Sequence, residues 1–291
     1  MIREALAASV DALRAAEVED ARLDAEVLLA EAMGTDRAAL AANAETEVPP
    51  AAARRFAEMV RRRLRREPVA YIAGRKGFRH LELAVDPRVL IPRPETELLV
   101  ELALELRPGT VLDIGTGSGA IALSVAGELP GSEVVATDTS TAALEVARAN
   151  AERLGLASRV ELIQGTLPEG RREFDLILAN LPYVSEADWP GLRPEVSEWE
   201  PREALLAGPD GLDAIRALLA ADPPGERLAL EVGEKQAEIV GALMREAGFS
   251  EIEVRKDLAG LDRVVIGRRH AGDFAPSPAI ARETTKSPLD E

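Results

Sequence analysis

Over the first 66 residues apolar positions recur at three- and four-residue intervals, the spacing of one face of an α-helix. Leu6, Val10 and Leu13 share a face, and the run ARLDAEVLLAEAMG stops at Gly34, a residue suited to ending a helix. A last helix, opened by Pro49-Pro50, carries Phe56, Val60 and Leu64 on one stripe, surrounded by Arg54, Arg55, Arg61, Arg62, Arg63, Arg65 and Arg66. Residues 1–67 therefore read as a small helical domain. Between Pro68 and Pro92 the period changes: Leu81, Leu83 and Val85 alternate between glycine and proline punctuation, so 68–92 reads as a β-hairpin linker.

Beyond it, RPETELLVELALEL opens a helix with Pro94 near its first position and Glu95 and Glu97 in the first turn, where acids suit the helix dipole. Short apolar runs then alternate with helical stretches. Strands are expected at 110–114, 133–137, 159–163, 174–179 and 227–232, and helices near 120–128, 141–154, 211–220 and 235–247. That alternation predicts an α/β doubly wound parallel sheet over 93–269. Its last two apolar stretches, Phe249–Val254 and Arg263–Gly267, are joined by a short turn and should pair antiparallel. Residues 270–291 read as a disordered tail.

Composition narrows the chemistry. A length of 291 residues suits one large and one small domain, and no apolar stretch is long enough to span a bilayer, so a soluble, cytoplasmic protein without a membrane partner is expected. The first residues, MIREALAASVDALRAAEVED, lack the apolar core of a secretory signal. Without cysteine there is no disulfide, thiolate nucleophile or zinc–thiolate site; two histidines, His80 and His270, leave little for metal chemistry, and no metal is expected. A net charge of −16 repels a phosphate backbone, which disfavours a free nucleic-acid substrate. The arginines at 54–66 are the one dense basic cluster, either a solvated helix face or a docking patch for an acidic or RNA-bound partner.

VLDIGTGSGAIAL places Gly115, Thr116, Gly117, Ser118 and Gly119 where the first strand of the sheet turns into a helix, a loop that lets a nucleotide cofactor approach the backbone closely. Gly115, Gly117 and Ala120 also satisfy a dinucleotide fingerprint. Asp138, ending the second strand, can accept both hydroxyls of an adenosine ribose, which suits NAD and S-adenosylmethionine equally; its competing reading is a helix cap, a task Thr139, Ser140 and Thr141 can perform. Asp113 tips the choice, because a second acid at this loop repels a pyrophosphate and tolerates the cationic S-adenosylmethionine. On the same rim of the sheet, ANLPYV delivers Asn180 into a stiff turn. A planar NH2 group needs two separated acceptors, and the Asn180 side-chain oxygen with the Leu181 carbonyl supplies them. Both keep electron density on a nitrogen that gains positive charge during methyl transfer. Pro182 pre-aims the Leu181 carbonyl, and Tyr183 can stack on the flat group.

VAYIAG, VLIPRPETE, VLDIGTGSGAIALS, FDLILANLPYV, EPREALLAGPDGL and LALEVGEKQA, in this order across residues 1–269, resemble the HemK/PrmC family of peptide chain release factor glutamine methyltransferases. The resemblance implies a class I S-adenosylmethionine-dependent methyltransferase fold, with an antiparallel C-terminal hairpin, preceded by a helical domain that docks the release factor. It implies S-adenosylmethionine as donor and, as acceptor, the glutamine side-chain amide in the Gly-Gly-Gln motif of class 1 release factors. Carried onto this chain, Gly115 to Gly119, Asp138 and Asn180 bind the cofactor and Asn180, Leu181, Pro182 and Tyr183 hold the glutamine. The family usually reads Asn-Pro-Pro-Tyr where this chain has Leu181, and an acid followed by an aromatic where it has Thr166 and Leu167 on the adenine side. Asn-Leu-Pro-Tyr also resembles the motif of adenine-amino RNA methyltransferases; that activity, a NAD-dependent oxidoreductase and a non-catalytic binding module are the alternatives.

Overall fold

The computed structural model describes residues 1–170 and 173–269; the expected tail at 270–291 lies outside the described residues. The helical region comprises α1 (Ile2–Ala15), α2 (Ala21–Met33), α3 (Arg37–Ala42), α4 (Pro50–Leu64) and α5 (Val69–Ala73). Leu13 of α1 is buried with Val18, Ala21 and Ala25, while Leu28 and Leu29 of α2 pack on Phe56 and Met59 of α4. Gly34 ends α2 in the left-handed conformation, as its position suggests.

The buried stripe of α4 differs from the expected one. Ala52, Phe56, Met59 and Arg63 face inward and Leu64 is exposed. The helix is rotated because Arg63 is recruited inward by two carboxylates, donating to Asp24 Oδ2 at 2.7 Å and Glu195 Oε1 at 2.7 Å. A buried guanidinium is tolerated only with such partners.

A short antiparallel hairpin, β1 (Arg75–Phe78) and β2 (Leu81–Ala84), follows. Pro94–Thr96 then forms a 3-10 turn that leads into α6 (Glu97–Leu106). The remaining elements are β3 (Thr110–Ile114), α7 (Ala120–Glu128), β4 (Glu133–Asp138), α8 (Thr141–Arg153), β5 (Val160–Gln164), β6 (Phe174–Ala179), α9 (Pro194–Ser197), α10 (Asp213–Ala220), β7 (Gly225–Glu231), α11 (Ala237–Glu246), β8 (Ser250–Lys256) and β9 (Asp262–Arg268). They build one seven-stranded sheet in the order β5-β4-β3-β6-β7-β9-β8, parallel except at β9, which runs antiparallel to both β7 and β8.

The central strands β3, β4 and β6 are buried at most positions because both faces are covered, whereas the edge strand β8 is exposed at all but one. Alternation along each strand sends Val111, Val134, Leu176 and Leu178 toward α6 and α7, and Leu112, Val135, Ile177 and Leu228 toward α10 and α11. Strand order reverses between β3 and β6, so the carboxyl ends of β3, β4 and β6 open onto one crevice.

The segment from 180 to 212 crosses from this rim to the helical region. Glu195, on α9, takes Arg66 on both oxygens at 2.8 Å as well as Arg63. Glu200, 1% exposed, accepts the Ile91 N–H at 3.0 Å and pairs with Arg93. The arginine cluster divides: Arg54, Arg55, Arg61 and Arg65 are exposed, Arg62 pairs with Glu67, and the inner Arg63 and Arg66 clasp the two parts of the chain through Glu195.

Candidate active site

The loop after β3 is built from beneath. The N–H groups of Gly115 and Thr116 both donate to the Thr137 carbonyl at 2.9 Å. Thr116 Oγ1 donates to Asp113 Oδ2 at 2.6 Å, and the Ala122 N–H reaches the same oxygen at 3.2 Å. Asp113 thus lies under the loop, not facing the cofactor as the charge argument assumed. Burial pushes its pKa up to about 7 against the lowering effect of those hydrogen bonds, and Oδ1 has no partner. Gly119 sits at φ +85°, where a Cβ would lie 2.8 Å from Leu123 Cδ1, so only glycine allows the loop to enter α7 this closely.

Asp138 closes the other side. Its Oδ2 accepts the Gly117 N–H at 2.9 Å and its Oδ1 accepts the Ser140 N–H at 2.8 Å. The cap of α8 is Ser140, whose Oγ accepts from the Ala143 N–H, so Asp138 is not the cap. A carboxylate has about four lone-pair sites, and each oxygen keeps capacity toward the cavity.

That cavity, of about 440 Å³, is lined by Gly115, Thr116, Gly117, Ser118, Asp138, Thr166, Asn180, Leu181 and Pro182. Ala217 and Leu218 of α10 form an apolar wall, and Pro92, Arg93 and Thr96 border it from the segment before α6. Thr166 is held there by its carbonyl, which accepts from Thr137 Oγ1 at 2.9 Å. Leu167 is not a lining residue: its side chain packs on the core beneath α10 and α11. An apolar side chain next to that core gains more from burial than from a solvent-open slot.

Asn180 leaves the end of β6 with Nδ2 donating to Thr96 Oγ1 at 2.9 Å, which leaves Oδ1 as the acceptor end of the amide. Leu181 packs on the same core and backs the glycine loop: a Cβ on Gly115 would stand 3.4 Å from Leu181 Cδ2. Tyr183, expected to stack on a substrate, is set behind the lining residues. Its hydroxyl donates to Glu231 Oε1 at 3.4 Å, and burial followed by the Glu231 charge raises its pKa. Its backbone carbonyl accepts Gln236 Nε2 at 3.0 Å, which fixes the far end of the turn. Thr96, Glu200 and Glu231 carry no role in the sequence reading, although IPRPETE, EPREA and LALEVGE contain them.

The chain also resembles known proteins. A model of the PrmC N-terminal domain matches residues 4–74, and a model of the methyltransferase small domain matches residues 94–190. The release factor glutamine methyltransferase of Moorella thermoacetica is 47% identical over 279 residues, 92% of this chain and 98% of that protein. That of Geobacter sulfurreducens is 45% identical over 259 residues, 86% and 90% of the two chains. The chain belongs to the release factor glutamine methyltransferase family. Its sheet has the class I methyltransferase fold: the hMettl16 catalytic domain in complex with a MAT2A 3′UTR hairpin superposes with a TM-score of 0.54 at 16% identity, covering 67% of this chain and 77% of that one. A methyltransferase from Pyrococcus furiosus gives 0.50 at 22% identity, covering 67% and 92%. Membership in the release factor glutamine methyltransferase family sets aside the nicotinamide-dependent alternative. Among the described residues no helix is long and apolar enough to cross a membrane.

Proposed function

We propose that this chain transfers a methyl group from S-adenosylmethionine to the side-chain amide nitrogen of the glutamine in the Gly-Gly-Gln motif of class 1 release factors. The observation that carries the reading is the shared cavity: the glycine loop and Asp138 border the same space as the Asn180–Pro182 turn. The donor set fits this cofactor. Asp138 has spare acceptor capacity for ribose hydroxyls, while the two cavity arginines, Arg88 and Arg93, are engaged by Asp86 and Glu145 and by Glu200, leaving neither of them unpaired to meet a phosphate.

Bound there, S-adenosylmethionine supplies an electrophilic methyl group next to a sulfonium. The chain's own residues prepare the nucleophile. Asn180 Oδ1 and the Leu181 carbonyl each accept one hydrogen of the glutamine NH2, fixing its plane and returning electron density to nitrogen as charge develops. On taking up the methyl group the glutamine nitrogen would lose one of its two protons to solvent water, held meanwhile by the two acceptors as positive charge develops. Pro182 restricts Leu181 to extended conformations, so its carbonyl is aimed beforehand. Leu181 in place of the more usual proline keeps this carbonyl and adds the side-chain contact behind Gly115. The partner is a folded protein, neither free nucleic acid nor a membrane, in keeping with the net charge of −16.

The test incubates the protein with methyl-labelled S-adenosylmethionine and a class 1 release factor, then locates the label by peptide mass spectrometry. Label on the Gly-Gly-Gln glutamine, abolished when that glutamine is alanine, is expected. Undiminished labelling of the alanine variant, or labelling of naked RNA instead, would overturn the assignment.

A further inference from the structure

We propose that Gln236 is a positioning residue for methyl transfer: its side-chain amide fixes the main chain that aims the Leu181 carbonyl at the substrate NH2. The inference rests on the reading of that carbonyl as the second acceptor.

The turn from Asn180 to Tyr183 falls in a gap between paired segments. The last pair of β6 with β7 is Ala179 with Leu230, and the chain is next paired at the bridge between Val184 and Leu206. Inside the gap Pro182 has no N–H to donate. The upstream end is held by Asn180 Nδ2, which donates to Thr96 Oγ1 at 2.9 Å. The downstream end is held by Gln236, 53 positions away, whose Nε2 donates to the Tyr183 carbonyl at 3.0 Å. With the φ of Pro182 locked by its ring, only its ψ and the φ and ψ of Tyr183 can turn between the Leu181 and Tyr183 carbonyls. Holding the second carbonyl therefore restrains the first.

The surroundings of this amide admit one arrangement. Nε2 faces three main-chain carbonyls, Tyr183 at 3.0 Å, Asp210 at 3.4 Å and Gly211 at 3.5 Å, while Oε1 accepts the Gly233 N–H at 2.9 Å. Turned over, the amide would set its oxygen against the carbonyls and its NH2 against an N–H, so its orientation follows from the main chain around it. Gly211, at φ +77°, makes the approach possible: a Cβ there would stand 2.3 Å from the Tyr183 carbonyl oxygen and 2.8 Å from Gln236 Nε2.

Gln236 occupies the N-cap position of α11, yet its side chain makes no capping hydrogen bond and is turned toward the substrate-side turn instead. Its own N–H donates to the Gly233 carbonyl at 3.0 Å, which ties it to the end of β7. Two stretches of the sequence thus meet behind the turn, AGPDGL at 207–212 and EVGEKQ at 231–236. Gln236 stands outside the cavity lining, so it acts through the turn and not on the substrate.

The test compares wild type with two variants of similar length. Gln236→Met loses both hydrogen-bonding ends; Gln236→Glu keeps an acceptor for Gly233 and turns an oxygen toward the three carbonyls. Single-turnover methylation is measured over a range of release factor concentrations, with calorimetry for S-adenosylmethionine and hydrogen-exchange mass spectrometry of the segment 180–184. Gln236→Met should lower the maximal rate about tenfold, short of the roughly hundredfold cost of a 1 Å misplacement at a reacting centre. Gln236→Glu should fall further, because it repels the carbonyl it ought to hold. Both should leave the half-saturating release factor concentration and the cofactor affinity within about twofold, and quicken exchange at 181–184 while β6 stays protected. A wild-type maximal rate in either variant, a Gln236→Glu rate equal to or above that of Gln236→Met, or a loss confined to half-saturation or cofactor affinity would overturn the proposal. If Gln236→Glu does not fold, Gln236→Met decides by the split between maximal rate and half-saturation. If wild-type protein fails to methylate the release factor, the functional reading fails, while the exchange measurement still reports whether Gln236 holds the turn.

Discussion

Replacing Glu195 by glutamine should loosen the clasp between the helical region and the sheet without touching the cavity. Glu195 accepts Arg63 Nη2 at 2.7 Å and Arg66 Nε and Nη2 at 2.8 Å, with its side chain 14% exposed. Burial works to raise its pKa, but the hydrogen bonds from Arg66 and Arg63 outweigh it and hold the group at about 2 against an ordinary 4.5. A difference of that size corresponds to roughly 3 kcal/mol of native-state stabilisation of the ionised form. Glutamine keeps the shape and one acceptor oxygen, and Arg63 retains Asp24 at 2.7 Å, so the loss should stop short of the full cost of orphaning a buried charge. A destabilisation of about 2–3 kcal/mol near neutral pH is expected, or roughly 4–10 °C in Tm for a chain of this size. The sign in pH follows from the lowered pKa. The contribution is complete above about pH 5 and is lost as pH falls toward 2, so the gap between wild type and variant should close on acidification. Asp24, whose pKa is raised by burial and also by the Glu195 charge, changes stability in the opposite sense, and the part due to Glu195 is lost in the variant. Urea unfolding at a series of pH values measures the gap. Equal midpoints at pH 7.5, or a gap unchanged at pH 3, would refute the reasoning.

Asn180→Ala removes one of two proposed acceptors, so single-turnover methylation should fall roughly a hundredfold or more with little change in substrate affinity; a loss confined to KM would count against the transition-state role. Asp138→Ala should weaken S-adenosylmethionine binding by about 1.5–3 kcal/mol per hydrogen bond lost to the charged group, read by calorimetry, with the Gly117 N–H losing its partner as well. Leu181→Pro keeps the accepting carbonyl but gives up the packing behind Gly115, so turnover near wild type with a slightly lowered Tm is expected; a strong rate loss in a folded, cofactor-competent variant would remove the Leu181 carbonyl as the second acceptor.

Much of this protein was legible in the sequence because its signals are local. Period-two and period-3.6 patterns located the five parallel strands and their helices to within about two residues, glycine spacing marked the loop after β3, and strand ends placed Asp138 and Asn180 on one rim. Family motifs indicated the same enzyme family. What sequence could not give is pairing over long separations. Thr96 meets Asn180 84 positions away, and Arg63 meets Glu195 132 positions away. A hydroxyl or a charge carries no periodic mark of its partner; the neighbour is chosen by which strands lie side by side and where a connection crosses. Arg63 reads as solvent-facing by its type, yet two distant carboxylates make its burial favourable and turn the whole of α4. Leu167 reads as a lining residue by its place after β5, yet an available core claims it. Glu231 carries no mark in the sequence, and only the register of β6 with β7, Ala179 opposite Leu230, brings it level with Asn180.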